Sequence, residues 1–178
     1  MIDKAMEFAV KAHEGQLRKG TKKPYIVHPV EVADIVTYIT QDEEIISAAL
    51  LHDTVEDCKD VSIEDIEANF GKRVASFVSS ESEDKSKTWM ERKCTTIKHL
   101  KDSSWEVKII ALADKLSNLR SIDRDYILVG DNLWDRFKMK DKDTIGWYYK
   151  GIRDSLEELK DLDAYKEYSM LVEKVFGK

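Results

Sequence analysis

Cysteine and proline each occur only twice in these 178 residues, and glycine only seven times. Two thiols, Cys58 and Cys94, are too few for a disulfide framework and lack the paired spacing of a thiolate metal site. A reducing compartment suits such a chain, so the cytoplasm is the expected location. Scarce glycine and proline, with little β-branched alternation, exclude a chain of short strands and turns and leave helical periodicity dominant. Basic residues are not in surplus: 29 Lys and Arg face 35 Asp and Glu, a net charge of -6. That balance argues against a general nucleic-acid binder, though it leaves room for a local basic pocket. No apolar run approaches the ~20 residues a membrane span needs. The start, Met1-Ile2-Asp3-Lys4, lacks the character of a signal peptide. Neither nucleic acid nor a membrane is therefore an expected partner, and the oligomeric state is left open.

What is present is a mixture of 42% hydrophobic and 36% charged residues, enough for a sizeable core in one domain. The expectation is an all-α, single compact multi-helix domain over residues 1–178. Apolar spacing predicts helices over 2–13, 29–38, 42–57, 72–80, 89–100, 105–120, 144–161 and 164–176. Another starts at Ser62 with a capping signature and ends at Gly71. Pro24 to Val27 is expected to be extended, with Pro29 at the first position of the helix that follows. Asp163 is the expected cap of the last helix. Residues 124–142 read as irregular, with one short helix near Trp134. Trp147, Tyr148, Ile152, Leu156 and Leu159 read as core. The polar run 79–87, with Glu81, Glu83 and Asp84, reads as a mobile loop, either a solvated linker or a lid of unassigned role.

Chemistry concentrates where apolar runs break. Ile45, Ile46, Ala48, Ala49, Leu50 and Leu51 lead into His52-Asp53-Thr54-Val55-Glu56-Asp57. On one continuous helix His52 would share a face with Glu56, and Asp53 with Asp57. Burying these groups unpaired costs several kcal/mol each, on the order of the penalties for isolated charges, so a divalent cation is a natural neutraliser. A polar helix end running into solvent is the alternative. A second break comes at Asp114, after Val107 and the run Ile109 to Ala113, with Asn118 one turn beyond. Its carboxylate needs either a salt bridge or a metal. His28 sits at a helix entrance, where a capping or core role competes with ligation. Two imidazoles (His28, His52) and two carboxylates (Asp53, Asp114) suit manganese, iron, zinc or another divalent metal. Such an ion acidifies bound water and polarises a phosphoryl oxygen. Glu56 and Asp57, one turn on, could take the proton. Arg18 and Lys19 lie between Gly15 and Gly20, in a loop that could supply counter-charge to phosphate.

In this order the motifs resemble the HD-domain phosphohydrolases, and more closely the hydrolase domain of the RelA/SpoT family, above all its stand-alone small alarmone hydrolases. The segments that carry the likeness are Ala12-His13, Gln16-Leu17-Arg18-Lys19-Gly20, Pro24-Tyr25, Val27-His28-Pro29, Ala48 to Asp57, Phe70 to Ala75, and Ala113 to Arg120. The resemblance implies an all-helical HD domain with a manganese ion on His28, His52, Asp53 and Asp114. It implies catalytic roles for Glu56 and Asp57 and substrate contacts at Arg18, Lys19 and Asn118. The implied reaction splits guanosine 3′,5′-bis(diphosphate), or the pentaphosphate, into GDP or GTP and pyrophosphate. Synthetase and regulatory domains of the long family members are expected to be absent. After Val78 the acidic run 79–84 departs from the long members and stands nearer the small ones. The competing expectations are an HD phosphohydrolase acting on another nucleotide, such as NADPH, and a non-catalytic nucleotide-binding module.

Overall fold

The computed structural model describes residues 1–177, and among them helices account for all regular structure apart from one isolated antiparallel bridge, Leu17 with Pro24. The chain folds as two compact units. The first comprises 1–83 and 105–114; the second comprises 84–104 and, of the described residues, 115–177.

In the first unit the helices are α1 (Ile2–Ala12), α2 (Val27–Thr37), α3 (Glu43–Leu51), α4 (Thr54–Asp57), α5 (Ile63–Phe70), α6 (Lys72–Glu81) and the opening part of α8 (Trp105–Val129). Helix α3 is its centre. Every residue from Ile45 to Leu51 is buried, as an all-round apolar helix must be. It packs against α1, α2 and α6, whose Ala5, Ala9, Val32, Val36, Val74 and Val78 are fully buried. Asp42 caps α3 by accepting from Glu44 N at 2.9 Å. Arg73 of α6 donates to Asp42 at 2.8 Å and Glu44 at 2.6 Å, which ties α6 to the start of α3.

The helix expected over 42–57 is in fact two. Helix α3 stops at Leu51, a turn passes through His52 and Asp53, and α4 begins at Thr54. Side chains account for the break. His52 Nδ1 takes Ala49 O at 2.7 Å, and the Thr54 hydroxyl takes Leu51 O at 2.7 Å. These carbonyls are thereby satisfied by side chains where helix continuation would have used backbone N–H groups. Helix α2 starts at Val27, so Val27 is helical and not extended, and Pro29 is the third residue. A first-turn proline sacrifices only an N–H that has no intrahelical partner anyway. The capping box of Ser62 with Asp65 is present, and Gly71, at φ 90°, ends α5 as expected. Ser79, Ser80 and Glu81 belong to α6 and not to the loop.

In the second unit α7 (Trp89–Asp102) opens on a capping box of Thr88 with Glu91. The remainder of α8 runs to Val129, well past the expected end, and a 3₁₀ segment follows over Gly130–Arg136. Helix α9 (Lys142–Ser155) ends earlier than expected, before a short 3₁₀ turn at Glu157–Leu159. Helix α10 (Asp163–Phe176) has Leu162 at its cap, and Asp163 lies inside the first turn with no capping bond. Two glycines let α9 pack closely. A Cβ on Gly151 would lie 2.5 Å from Ile97 of α7, and one on Gly146 would lie 3.0 Å from Phe176 of α10. Tyr148, Ile152, Leu156 and Leu159 are buried, whereas Trp147 is 41% exposed and lies outside the core.

Candidate metal centre

Three breaks in apolar helices meet in the first unit. His28 comes from the first turn of α2, His52 and Asp53 from the turn between α3 and α4, and Asp114 from α8. His28, His52 and Asp114 are buried, and their donor atoms lie within 4.8 Å of one another. Asp53, one-fifth exposed, joins them. Nitrogen and oxygen alternate around the cluster. His28 Nε2 is 3.1 Å from Asp114 Oδ1, which is 3.7 Å from His52 Nε2. His52 Nε2 is 3.1 Å from Asp53 Oδ2, which is 3.5 Å from His28 Nε2.

This arrangement fits a divalent cation. Donors about 2.0–2.2 Å from a common ion stand roughly 3–3.6 Å apart at bond angles between 90° and tetrahedral. The His52 tautomer agrees: a carbonyl can only accept, so the short contact to Ala49 O puts a proton on Nδ1 and aims Nε2 at the cluster. Buried His52 Nε2 has no properly oriented hydrogen-bond partner despite the carboxylates beside it. Electrostatics agree as well. Burial opposes a charged His52, yet the Asp53 carboxylate, with Asp114, raises the imidazole pKa well above its ordinary value. Burial likewise opposes an ionised Asp53, and the charge on His52 overrides it and holds that carboxyl low. Both directions mark the cluster as a place where the two carboxylates favour a positive charge beside them.

The surroundings of the cluster were only partly legible in the sequence. Asp57 is reached through Tyr25, whose hydroxyl lies 2.6 Å from Asp53 Oδ2 and 3.2 Å from Asp57 Oδ2. Burial first, then the two carboxylates, push the Tyr25 phenol up, so it remains a proton donor. The Asp53–Asp57 turn expected from helical spacing is kept, since Asp57 N donates to Asp53 O at 2.9 Å. Glu56 lies on α4 between Val55 and Asp57 and is half-buried. Arg18 is half-buried, its guanidinium 5.5 Å from the centre of the Tyr25 ring, while Lys19 is exposed on the turn closed by Arg18 N to Lys23 O. Asn118 lies on α8 within the second unit. Sequence reasoning assigned no task to Tyr25, His13 or Gln16. Their only signal was membership of the quoted segments, because their contacts to Asp53, Asp57 and Cys58 span 28 to 45 positions of chain.

An all-helical unit with this His, His-Asp, Asp arrangement is the hallmark of the HD class. The HD-domain family profile matches residues 5–128. The guanosine-3′,5′-bis(diphosphate) 3′-pyrophosphohydrolase MESH1 of Xenopus tropicalis is 43% identical over 128 residues, covering 70% of each chain. A solved structure described as a metazoan ortholog of SpoT that hydrolyses ppGpp superposes with a TM-score of 0.77 at 30% identity, covering 98% of this chain and 93% of that one. The crystal structure of lmo0812 from Listeria monocytogenes EGD-e gives 0.78 at 37% identity, over 85% of this chain and 99% of that one. The chain belongs to the HD-domain family, in its RelA/SpoT-type branch, beside the small stand-alone members.

Proposed function

We propose that this chain hydrolyses the 3′-pyrophosphate of guanosine 3′,5′-bis(diphosphate), with GDP and pyrophosphate as products, and that it does so in the cytoplasm. The pentaphosphate would give GTP. The observation that carries the reading is the alternating ring of His28, Asp114, His52 and Asp53, with Asp57 joined to it through the Tyr25 hydroxyl. Relatives whose names state this activity support the choice of substrate.

In this reading His28, His52, Asp53 and Asp114 hold one divalent cation, manganese by the family likeness. When bound, the ion supplies positive charge opposite the phosphoryl oxygens and lowers the pKa of water. The protein's own groups manage the protons. Water attacks the phosphorus that bears the 3′-oxygen, and the bond from that phosphorus to the 3′-oxygen breaks. Asp57, with Glu56 beside it, accepts the proton that the water gives up. The departing 3′-oxygen takes up one proton to become a hydroxyl, so the exchange balances. Tyr25 holds Asp53 and Asp57 in a fixed relation while this happens. Arg18 offers a fork of donors to phosphate, and Lys19 offers a point charge at the rim.

Phosphorus NMR of the first products tests the reading. With guanosine 3′,5′-bis(diphosphate) and manganese, pyrophosphate should appear together with GDP. Orthophosphate as the sole initial product would reject it, and so would turnover confined to another nucleotide, such as NADPH, in a substrate panel.

A further inference from the structure

His13, at the end of α1, is buried to 3% exposure, and its polar and ring contacts go to Gln16, Cys58 and Tyr25. It nevertheless touches both anchors of Asp57. The first is a chain of hydrogen bonds whose polarity can be worked out. Asp57 O is a carbonyl and can only accept, so the Gln16 atom 3.1 Å from it is the amide Nε2. Gln16 Oε1 then faces His13 Nδ1 at 2.8 Å, and that nitrogen must carry the proton. The second anchor is the Tyr25 ring. The His13 imidazole lies 4.8 Å from it, centre to centre, with 31° between the planes, and the Tyr25 hydroxyl reaches the Asp57 carboxylate. Cys58 fills the remaining space, its sulfur 3.5 Å from His13 Nδ1 and 3.7 Å from Gln16 Nε2.

The other ring nitrogen, His13 Nε2, is buried and has no hydrogen-bond partner. Leaving such a nitrogen unsatisfied works against folding. A side chain selected for packing alone would be an apolar ring. An imidazole kept there against that penalty points to a task for its Nδ1–H.

We infer that His13 is a positioning residue: through Gln16 it holds the backbone of Asp57, and through the Tyr25 ring it supports the hydroxyl that holds the Asp57 carboxylate. The inference rests on the reading that Asp57 receives the proton from water. His13 touches neither substrate nor ion and acts only through these two neighbours.

Two substitutions separate the contacts. His13→Phe keeps a ring against Tyr25 and removes the donor to Gln16. His13→Asn places an amide nitrogen near Nδ1 and removes the ring. Turnover of guanosine 3′,5′-bis(diphosphate), cation content and thermal midpoint are measured for both and for the wild type. His13→Phe is expected to keep its cation and its thermal midpoint. Its kcat should fall roughly 10–100-fold, the scale of lost outer-sphere support, with KM little changed, and His13→Asn should recover part of that loss. Wild-type kcat in His13→Phe overturns the inference, as does a loss explained in full by missing cation or unfolded protein. A readout free of turnover is the nitrogen NMR spectrum of His13 in the unaltered, cation-free protein. A proton on Nδ1 with Nε2 bare is expected; the opposite tautomer breaks the hydrogen-bond chain and overturns the inference. If the wild type releases no pyrophosphate, the proposed reaction fails, and the tautomer still decides whether His13 clamps Asp57.

Discussion

Tyr25→Phe removes one oxygen and leaves the ring contacts with His13 and Arg18 in place. The hydroxyl's bond to Asp53 Oδ2, at 2.6 Å, has the length of a charge-assisted O–H to carboxylate bond. Bonds to charged groups are worth about 1.5–3 kcal/mol, and with ~1.4 kcal/mol for each factor of ten the loss corresponds to roughly 10–150-fold. It should divide between two properties. Asp53 Oδ2 is also the atom that faces His52 Nε2 at 3.1 Å and His28 Nε2 at 3.5 Å. Freed from the hydroxyl, it is less firmly aimed, and cation affinity should weaken. Asp57 loses its contact at 3.2 Å, so kcat at saturating cation should fall as well. Titration of the cation-free protein with manganese, followed by electron paramagnetic resonance, gives the dissociation constant. Steady-state pyrophosphate release at saturating manganese gives kcat. If both quantities stay within about twofold of wild type, below ~0.5 kcal/mol, the hydroxyl does not couple these carboxylates and the role given to Tyr25 is wrong.

The remaining predictions concern the same cluster and its rim. Asp114→Ala should lose cation and turnover together; full manganese occupancy in the purified variant would remove Asp114 from the ligand set. In the wild type, cation at a hundred times its dissociation constant should add ~2.7 kcal/mol of stability, which calorimetry should show as an upward shift in melting temperature that Asp114→Ala lacks. Glu56→Gln and Asp57→Asn should keep the cation and lower kcat by roughly 10²–10⁴, and wild-type rates in both would refute the proton-accepting role. The raised pKa of His52 sets the direction of the pH dependence. Its proton stabilises the cation-free fold at low pH, and that contribution is lost as pH rises through the raised value. The cation must displace this proton, so calorimetric titration should show affinity rising with pH up to that value, by at most ~tenfold per unit; affinity that does not change with pH would contradict it. Arg18→Ala should raise KM for the phosphate-rich substrate, and should also lower kcat if the guanidinium orients the reacting group; unchanged kinetics would place Arg18 outside the substrate's reach.

Local sequence was enough to determine that the chain is helical and to mark buried polar residues that the fold brings together. Scarce glycine and proline and a 3.6-residue apolar rhythm act over single turns, so they are legible without a fold. The same holds for the capping box at Ser62, a bond between residues three apart. Asp114, after the buried run Ile109 to Ala113, and His52 with Asp53, after Ile45 to Leu51, stood out because a carboxylate or imidazole at the end of an apolar run needs a partner. The division of the expected 42–57 helix was not legible. Helical spacing describes the backbone, and the break comes from His52 and Thr54 turning their side chains back onto Ala49 O and Leu51 O. Trp147 misled for a related reason: apolar character alone does not say which side of α9 meets α7 and α10, and the close approaches at Gly151 and Gly146 show which side does. Only tertiary structure could decide that Tyr25 joins Asp53 to Asp57, or that His13 lies against Tyr25 and Gln16 on the backbone of Asp57. Apart from the short His13–Gln16 and Tyr25–His13 steps, these contacts join residues 28 to 41 positions apart. No periodicity of a single helix encodes such separations; they arise from packing α1 and α2 on one buried helix, α3.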